Sequence, residues 1–228
     1  IEPGMTVVEV LPGRGWYSPI LVSYLGSKGT LIGADYPLEI WPNFPFGNEA
    51  FIAKRRGWIE EWPLQAQTWA GDDGAAAKAM RIGMIPDALD ASADAVLFIR
   101  ALHNLSRFEE KGGFFSSALT DSLAVLKPGG TLGVVQHMAP DGQPAASTNG
   151  SRGYMDKAAL IKRIEAMGFE YVGSSDVNHN ANDVPSEQDI VWRLPPSLMT
   201  SGDDAQMKAK YQAIGESNRM TLMFRKPA

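Results

Sequence analysis

Apolar residues fall in short unbroken runs that alternate with stretches at helical spacing. Met5 to Val10 is one such run. Val7, Val8 and Val10 are β-branched, and the stretch reads as a buried strand. Gly13 and Gly15 follow. Ile20, Leu21, Tyr24 and Leu25 then recur on one helix face, closed by Gly26. Thr30 to Ala34 is a second apolar strand ended by Asp35, which completes a compact βαβ unit.

Residues 37–80 are less regular. Pro37, Pro42, Pro45 and Pro63 interrupt them, and four of the six tryptophans lie here: Trp41, Trp58, Trp62 and Trp69. Phe51 to Trp62 is predicted as a helix. Ala79 to Met84 is expected as a short third strand before a Pro-Asp turn. "ADAVLFI" (93–99) is a strong strand, and Phe114 to Leu126 an amphipathic helix stopped by "KPGG". Thr131 to Val135 is another buried strand. Residues 141–153, "DGQPAASTNGSRG", form a polar loop, either mobile or a lid. Asp156 caps a helix that runs to Met167. Phe169 to Val177 and Met220 to Phe224 read as two late strands joined by a long connection. No repeat and no break in composition divides the chain, so residues 1–228 are expected as one domain. Alternating strands and helices predict an α/β protein with a mainly parallel sheet wrapped on both faces.

Composition narrows the partners. Hydrophobic content of 44% suffices for a core, and the net charge of −5 argues against a nucleic-acid backbone as main partner. The one compact basic cluster, Lys54-Arg55-Arg56, reads as a solvated helix face. The absence of cysteine removes disulfides, thiolate zinc sites and cysteine nucleophiles. No run is long and apolar enough to span a bilayer. The compartment and the oligomeric state stay open. The cytoplasm is expected for a cofactor-dependent enzyme, and the periplasm for a chain whose leader precedes Ile1.

Ligands of open α/β sheets bind outside the carboxyl ends of the strands. Arg14, Trp16 and Tyr17 follow strand one; Arg100, His103 and Asn104 follow strand four; Gln136 and His137 follow strand five; Asn178, His179 and Asn180 follow strand six. All three histidines of the chain lie on this edge. His103 or His137 is the candidate general base, with Asn104 and Tyr17 in the same catalytic set. His179 sits in a polar run that reads equally as an exposed loop. Trp16, Tyr17 and Trp192 wall a flat substrate or pack in a core. Arg100 and Arg219 bind a carboxylate or phenolate, or pair on the surface. No HxxxH or HxH pair and no acidic cluster marks a metal site.

The order strand, glycine loop, helix, strand ending in an acid is that of nucleotide-binding folds. Glu9 with Gly13 and Gly15, Asp35, "DAVLFIRALHNL" and "LKPGGTLGVVQH" together resemble a class I S-adenosylmethionine-dependent methyltransferase. More narrowly, "PGRGWYS", "RALHNL", "VWRLPPSL" and "GESNRMTLMFRKP" resemble a bacterial family of predicted methyltransferases. The likeness covers nearly the whole chain. It implies a Rossmann-like seven-stranded fold with a late antiparallel strand, and S-adenosylmethionine as cofactor. By that likeness Gly13 and Gly15 line the cofactor, Asp35 holds the ribose, Glu9 belongs to the same set, and Asp87 lies near the adenine. The chain departs from the motif at Leu11-Pro12, where the first glycine is expected. Leu11 adds a side chain, and Pro12 fixes φ and removes a donor.

Three readings follow. The first is a methyltransferase acting on a small, aromatic or hydroxyl-bearing molecule with a histidine base. The second is a lyase or hydrolase that uses the same histidines without the cofactor, for example by retro-aldol release of an aldehyde. The third is a binding module.

Overall fold

The computed structural model describes residues 1–228. Seven strands form one sheet: β1 (Thr6–Val10), β2 (Thr30–Asp35), β3 (Ala76–Arg81), β4 (Ala93–Ile99), β5 (Leu126–His137), β6 (Glu170–Ser175) and β7 (Arg219–Arg225). Their order across the sheet is β3-β2-β1-β4-β5-β7-β6, and β7 alone runs antiparallel to its neighbours. The helices are α1 (Ser18–Leu25), α2 (Glu49–Arg56), α3 (Trp58–Ala70), α4 (Leu102–Arg107), α5 (Glu109–Gly112), α6 (Phe114–Val125), α7 (Ala145–Thr148), α8 (Lys157–Ala166) and α9 (Ala205–Ile214). No helix is long and apolar enough to cross a membrane.

Strand β1 lies inside the sheet between β2 and β4, which is why its valines are buried on both faces. Val8 and Val10 belong to the larger core, and Val7 to a smaller one with Leu21, Val22, Trp58 and Trp62. From β1 the chain builds outward first on one side, through β2 and β3, then on the other, through β4 and β5. The reversal opens a crevice above the carboxyl ends of β1 and β4.

Several boundaries differ from those expected. The predicted 51–62 helix is two helices that meet at Gly57. Pro63 does not break α3; it lies within it, and the buried stripe Trp58, Trp62, Ala66 offsets the lost hydrogen bond. Strand β3 starts three residues before the predicted Ala79, since Ala76 to Lys78 pair with Thr30 to Ile32. Strand β5 absorbs the "KPGG" segment. Helix α9 went unrecognised because it buries no residue and so carries no apolar stripe.

Candidate functional site

A cavity of about 420 Å³ opens in this crevice. The end of β1 and its loop supply Glu9, Arg14, Trp16 and Tyr17; β4 and α4 supply Arg100, His103 and Asn104; β5 supplies His137; residues 191–197 add Trp192; and the start of β7 adds Ser217 and Arg219. Most of these are residues that the sequence sets at the carboxyl edge of the sheet. Trp16 is 69% exposed and stands on the rim.

The two histidines are buried, with ring centroids 5.5 Å apart. Each is anchored through Nδ1. The Gln136 amide donates from Nε2 to the Gly153 carbonyl at 2.9 Å, which turns its Oε1 toward His103. That oxygen lies 3.3 Å from both the His103 backbone N–H and Nδ1. The His103 proton is therefore assigned to Nδ1, and Nε2 keeps its lone pair. His137 Nδ1 lies 2.6 Å from the Ser217 hydroxyl. Neither Nε2 takes part in a hydrogen bond. Burial, aided by Arg100 and Arg107, pushes the His103 pKa down to about 4 against the pull of Gln136. Burial, His103, Arg100 and Arg219 hold His137 well below the imidazole range. Both rings are neutral bases at neutral pH.

Arg100 adopts a left-handed backbone at φ 58°, as does Leu11 at φ 57°. Two non-glycine residues in this region flank one crevice, a strained arrangement typical of functional sites. The Arg100 guanidinium lies over the Tyr17 ring at 5.8 Å. Glu9 is buried, accepts from the Ser18 hydroxyl at 2.6 Å, and burial raises its pKa to about 7.

The 141–153 segment is neither a free loop nor a lid at its far end. Gly153 holds Gln136, the His137 carbonyl accepts from the Met155 N–H, and Gly150 lies against α4. A Cβ on Gly150 would stand 2.3 Å from the His103 carbonyl oxygen, at φ 95°. Gly150→Ala is expected to destabilise the fold by about 3 kcal/mol in urea unfolding, because backbone must move on both sides of the contact. An unchanged midpoint would refute the contact. Sequence reasoning missed a second support. Asp183, fully buried, accepts from Tyr154 Oη, from Arg193 at 2.8 Å and from the Asn218 N–H at 2.9 Å. This cluster ties the long connection carrying Trp192 to the base of β7. Its only signal in the sequence was its position inside the "NHNAND" and "VWRLPPSL" stretches.

A second cavity of about 340 Å³ adjoins the first, and Leu11, Gly13, Arg14, Arg100 and Asn104 border both. It lies beside Asp35, where the family likeness puts the cofactor. Asp35 is 3% exposed, and Arg55 at 2.5 Å and Arg81 at 3.4 Å both reach the same carboxylate oxygen, Oδ2, so the acid is ion-paired on one side while it still borders the cavity. Burial raises the Asp35 pKa against these two arginines. The side chains that follow β2 and β3 (Tyr36, Ile40, Trp41 and Ile82) are packed into the main core. Phe44, from the same connection, rests edge-on against Phe108 beyond α4 at 4.9 Å.

Four expectations change accordingly. Gly15 faces no cavity: the Trp69 indole fills the space a side chain would take, 2.2 Å from a Cβ there. Asp87 opens a short turn and borders neither cavity, and His179 is exposed and lines neither, although its neighbours Asn178 and Asn180 bond to the start of β7 and the residues just before it. Arg55 is not part of a solvated face; it turns inward to Asp35 between the Trp41 and Trp58 rings.

No protein-family model matches the chain, and no curated protein does. Solved structures do match it. The 4+2 cyclase SpnF superposes with a TM-score of 0.53 at 16% identity, covering 100% of this chain and 76% of that one. A SAM-dependent methyltransferase from Aquifex aeolicus gives 0.51 at 14% identity, covering 98% and 83%. The Burkholderia thailandensis 1,6-didemethyltoxoflavin-N1-methyltransferase, with bound 1,6-didemethyltoxoflavin and S-adenosylhomocysteine, gives 0.53 at 14%, covering 100% and 72%. The chain has the Rossmann-like methyltransferase fold, a mostly parallel seven-stranded sheet with one antiparallel strand.

Proposed function

We propose that this chain is a lyase that acts on a small hydroxyl-bearing aromatic molecule by proton transfer, without a nucleotide cofactor. One observation carries the reading. Two neutral, buried imidazoles face a cavity of substrate size, while the recess beside them is walled by Arg14, Arg55 and Arg100 and its acid is ion-paired.

His103 is the base. Its Nε2 takes the proton of a hydroxymethyl O–H; the carbon–carbon bond breaks as the carbonyl forms, and an aldehyde leaves. The electron pair passes to the adjoining carbon, which must be conjugated to the ring and recovers a proton from the imidazolium. Arg100 and Arg219 stand where they lower the energy of the transient negative charge. Tyr17 and Trp192 wall the ring, Asn104 hydrogen-bonds the substrate, and His137 is the second proton carrier, oriented by Ser217. Burial is the main reason both imidazoles are neutral, and the Arg100 charge adds to it. The cyclase neighbour supports the idea that this fold hosts other chemistry.

A second reading, methyl transfer, is favoured by the methyltransferase neighbours, one with S-adenosylhomocysteine bound. It requires Glu9, Gly13, Gly15 and Asp35 to hold the cofactor, with Asp35 ion-paired to Arg55 and Arg81 through Oδ2. Calorimetric titration with S-adenosylhomocysteine separates the two. The lyase reading expects no binding by folded protein, and release of aldehyde, trapped as a hydrazone, from a panel of aryl hydroxymethyl compounds. Micromolar binding would overturn the cofactor-free reading in favour of methyl transfer.

A further inference from the structure

The smaller cavity is rich in donors. Four side-chain nitrogens in the chain are buried with no hydrogen-bond partner, and three belong to residues lining it: Trp41 Nε1, Arg55 Nε and Arg100 Nε. All three are donors. The one carboxylate in the lining, Asp35, is already shared between Arg55 and, behind it, Arg81. Arg14 and Arg100 have no ion-pair partner. A wall of three arginines against one engaged carboxylate has the wrong sign for a sulfonium nucleoside and the right one for an anion.

We propose that this cavity is an oxyanion-recognition site, which takes the carboxylate or phosphate of a small molecule between Arg55 and Arg100. Guanidinium forks match both oxyanions, and a half-buried cation without a partner is stabilised when one arrives. Arg100 is the hinge of the arrangement. Its left-handed backbone, fixed by an N–H to Val135 carbonyl bond of 2.7 Å, sets its side chain on the border of both cavities. An acid held there can extend past Leu11 toward the histidines, so one molecule can occupy both spaces. The site stands whether or not the lyase reading holds, since binding is measured without turnover.

The test titrates the full chain with benzoate and phenyl phosphate, with benzyl alcohol as the neutral control. At least one oxyanion is expected to bind one-to-one, and benzyl alcohol about tenfold more weakly or not at all. The preferred oxyanion tells carboxylate from phosphate. Arg100→Gln and Arg55→Lys should each weaken binding by about tenfold or more, whereas Lys208→Gln, exposed on α9 and in neither cavity, should change it by less than about twofold. Arg55→Lys keeps the charge on Asp35, so it carries the test if Arg100→Gln fails to fold. Absence of oxyanion binding at millimolar concentration, equal binding of benzyl alcohol, or an equal loss in Lys208→Gln overturns the proposal.

Discussion

Replacing His103 with asparagine is expected to cut aldehyde release by about 10²- to 10⁴-fold with little change in KM, the usual range for a general base. The amide can fill part of the ring's space but takes no proton. The pH profile is the sharper readout. A base works unprotonated, so activity is lost as pH falls through its pKa. For the free enzyme that pKa is about 4, not the 6.5 of an ordinary imidazole. The acid limb of kcat/KM should therefore stay flat from pH 8 to about pH 5 and bend only below. Gln136→Leu should lower kcat by about tenfold through loss of the oriented Nδ1 proton, and Gln136 is a positioning residue in that sense. A limb centred near 6.5, or full turnover in His103→Asn, would remove His103 from the mechanism.

The fold was legible where burial leaves a pattern. Strands β1, β2 and β4 are central and buried on both faces, so they show as unbroken apolar runs. Helix α9 rests on the surface without a buried residue, and no periodicity could reveal it. The site was legible by topology rather than by motif. His103 and His137 end up together because β4 and β5 are neighbours next to the switch point. The same rule failed for His179 and Asp87 because it ignores strand position: β6 and β3 are the two edges of the sheet, and neither residue lines a cavity. Arg55 was misread for a different reason. Helix α2 buries no residue, so its pattern is that of a solvated helix, and only the fold supplies Asp35 as a partner. Leu11 was flagged correctly. It keeps the left-handed backbone that a glycine would adopt there, but adds a side chain between the two cavities.

Glu9→Gln is expected to raise the unfolding free energy by about 3 kcal/mol at pH 8 and to change it little at pH 4.5. The folded protein lifts the Glu9 pKa from 4.5 to about 7 by burying it, with only the Ser18 hydroxyl in compensation. Between those values the folded state binds more protons than the unfolded chain, so this group lowers stability as pH rises. Glutamine keeps an oxygen for Ser18 and has no proton to lose. The wild type hides the effect. His103 moves the other way, from 6.5 down to about 4, so over that window the unfolded chain binds more protons and stability falls as pH falls. Each group is worth about 3 kcal/mol across overlapping windows, and their slopes nearly cancel between about pH 4.5 and 6.5. His137 adds to the histidine side. The wild type should therefore lose only the His137 share on acidification through this range, while the Glu9→Gln variant should lose about 3 kcal/mol more, measured by urea unfolding at fixed ionic strength. Parallel curves for the two proteins would mean that Glu9 is already ionised in the folded state at low pH, and that the beginning of the crevice is wetter than its geometry implies.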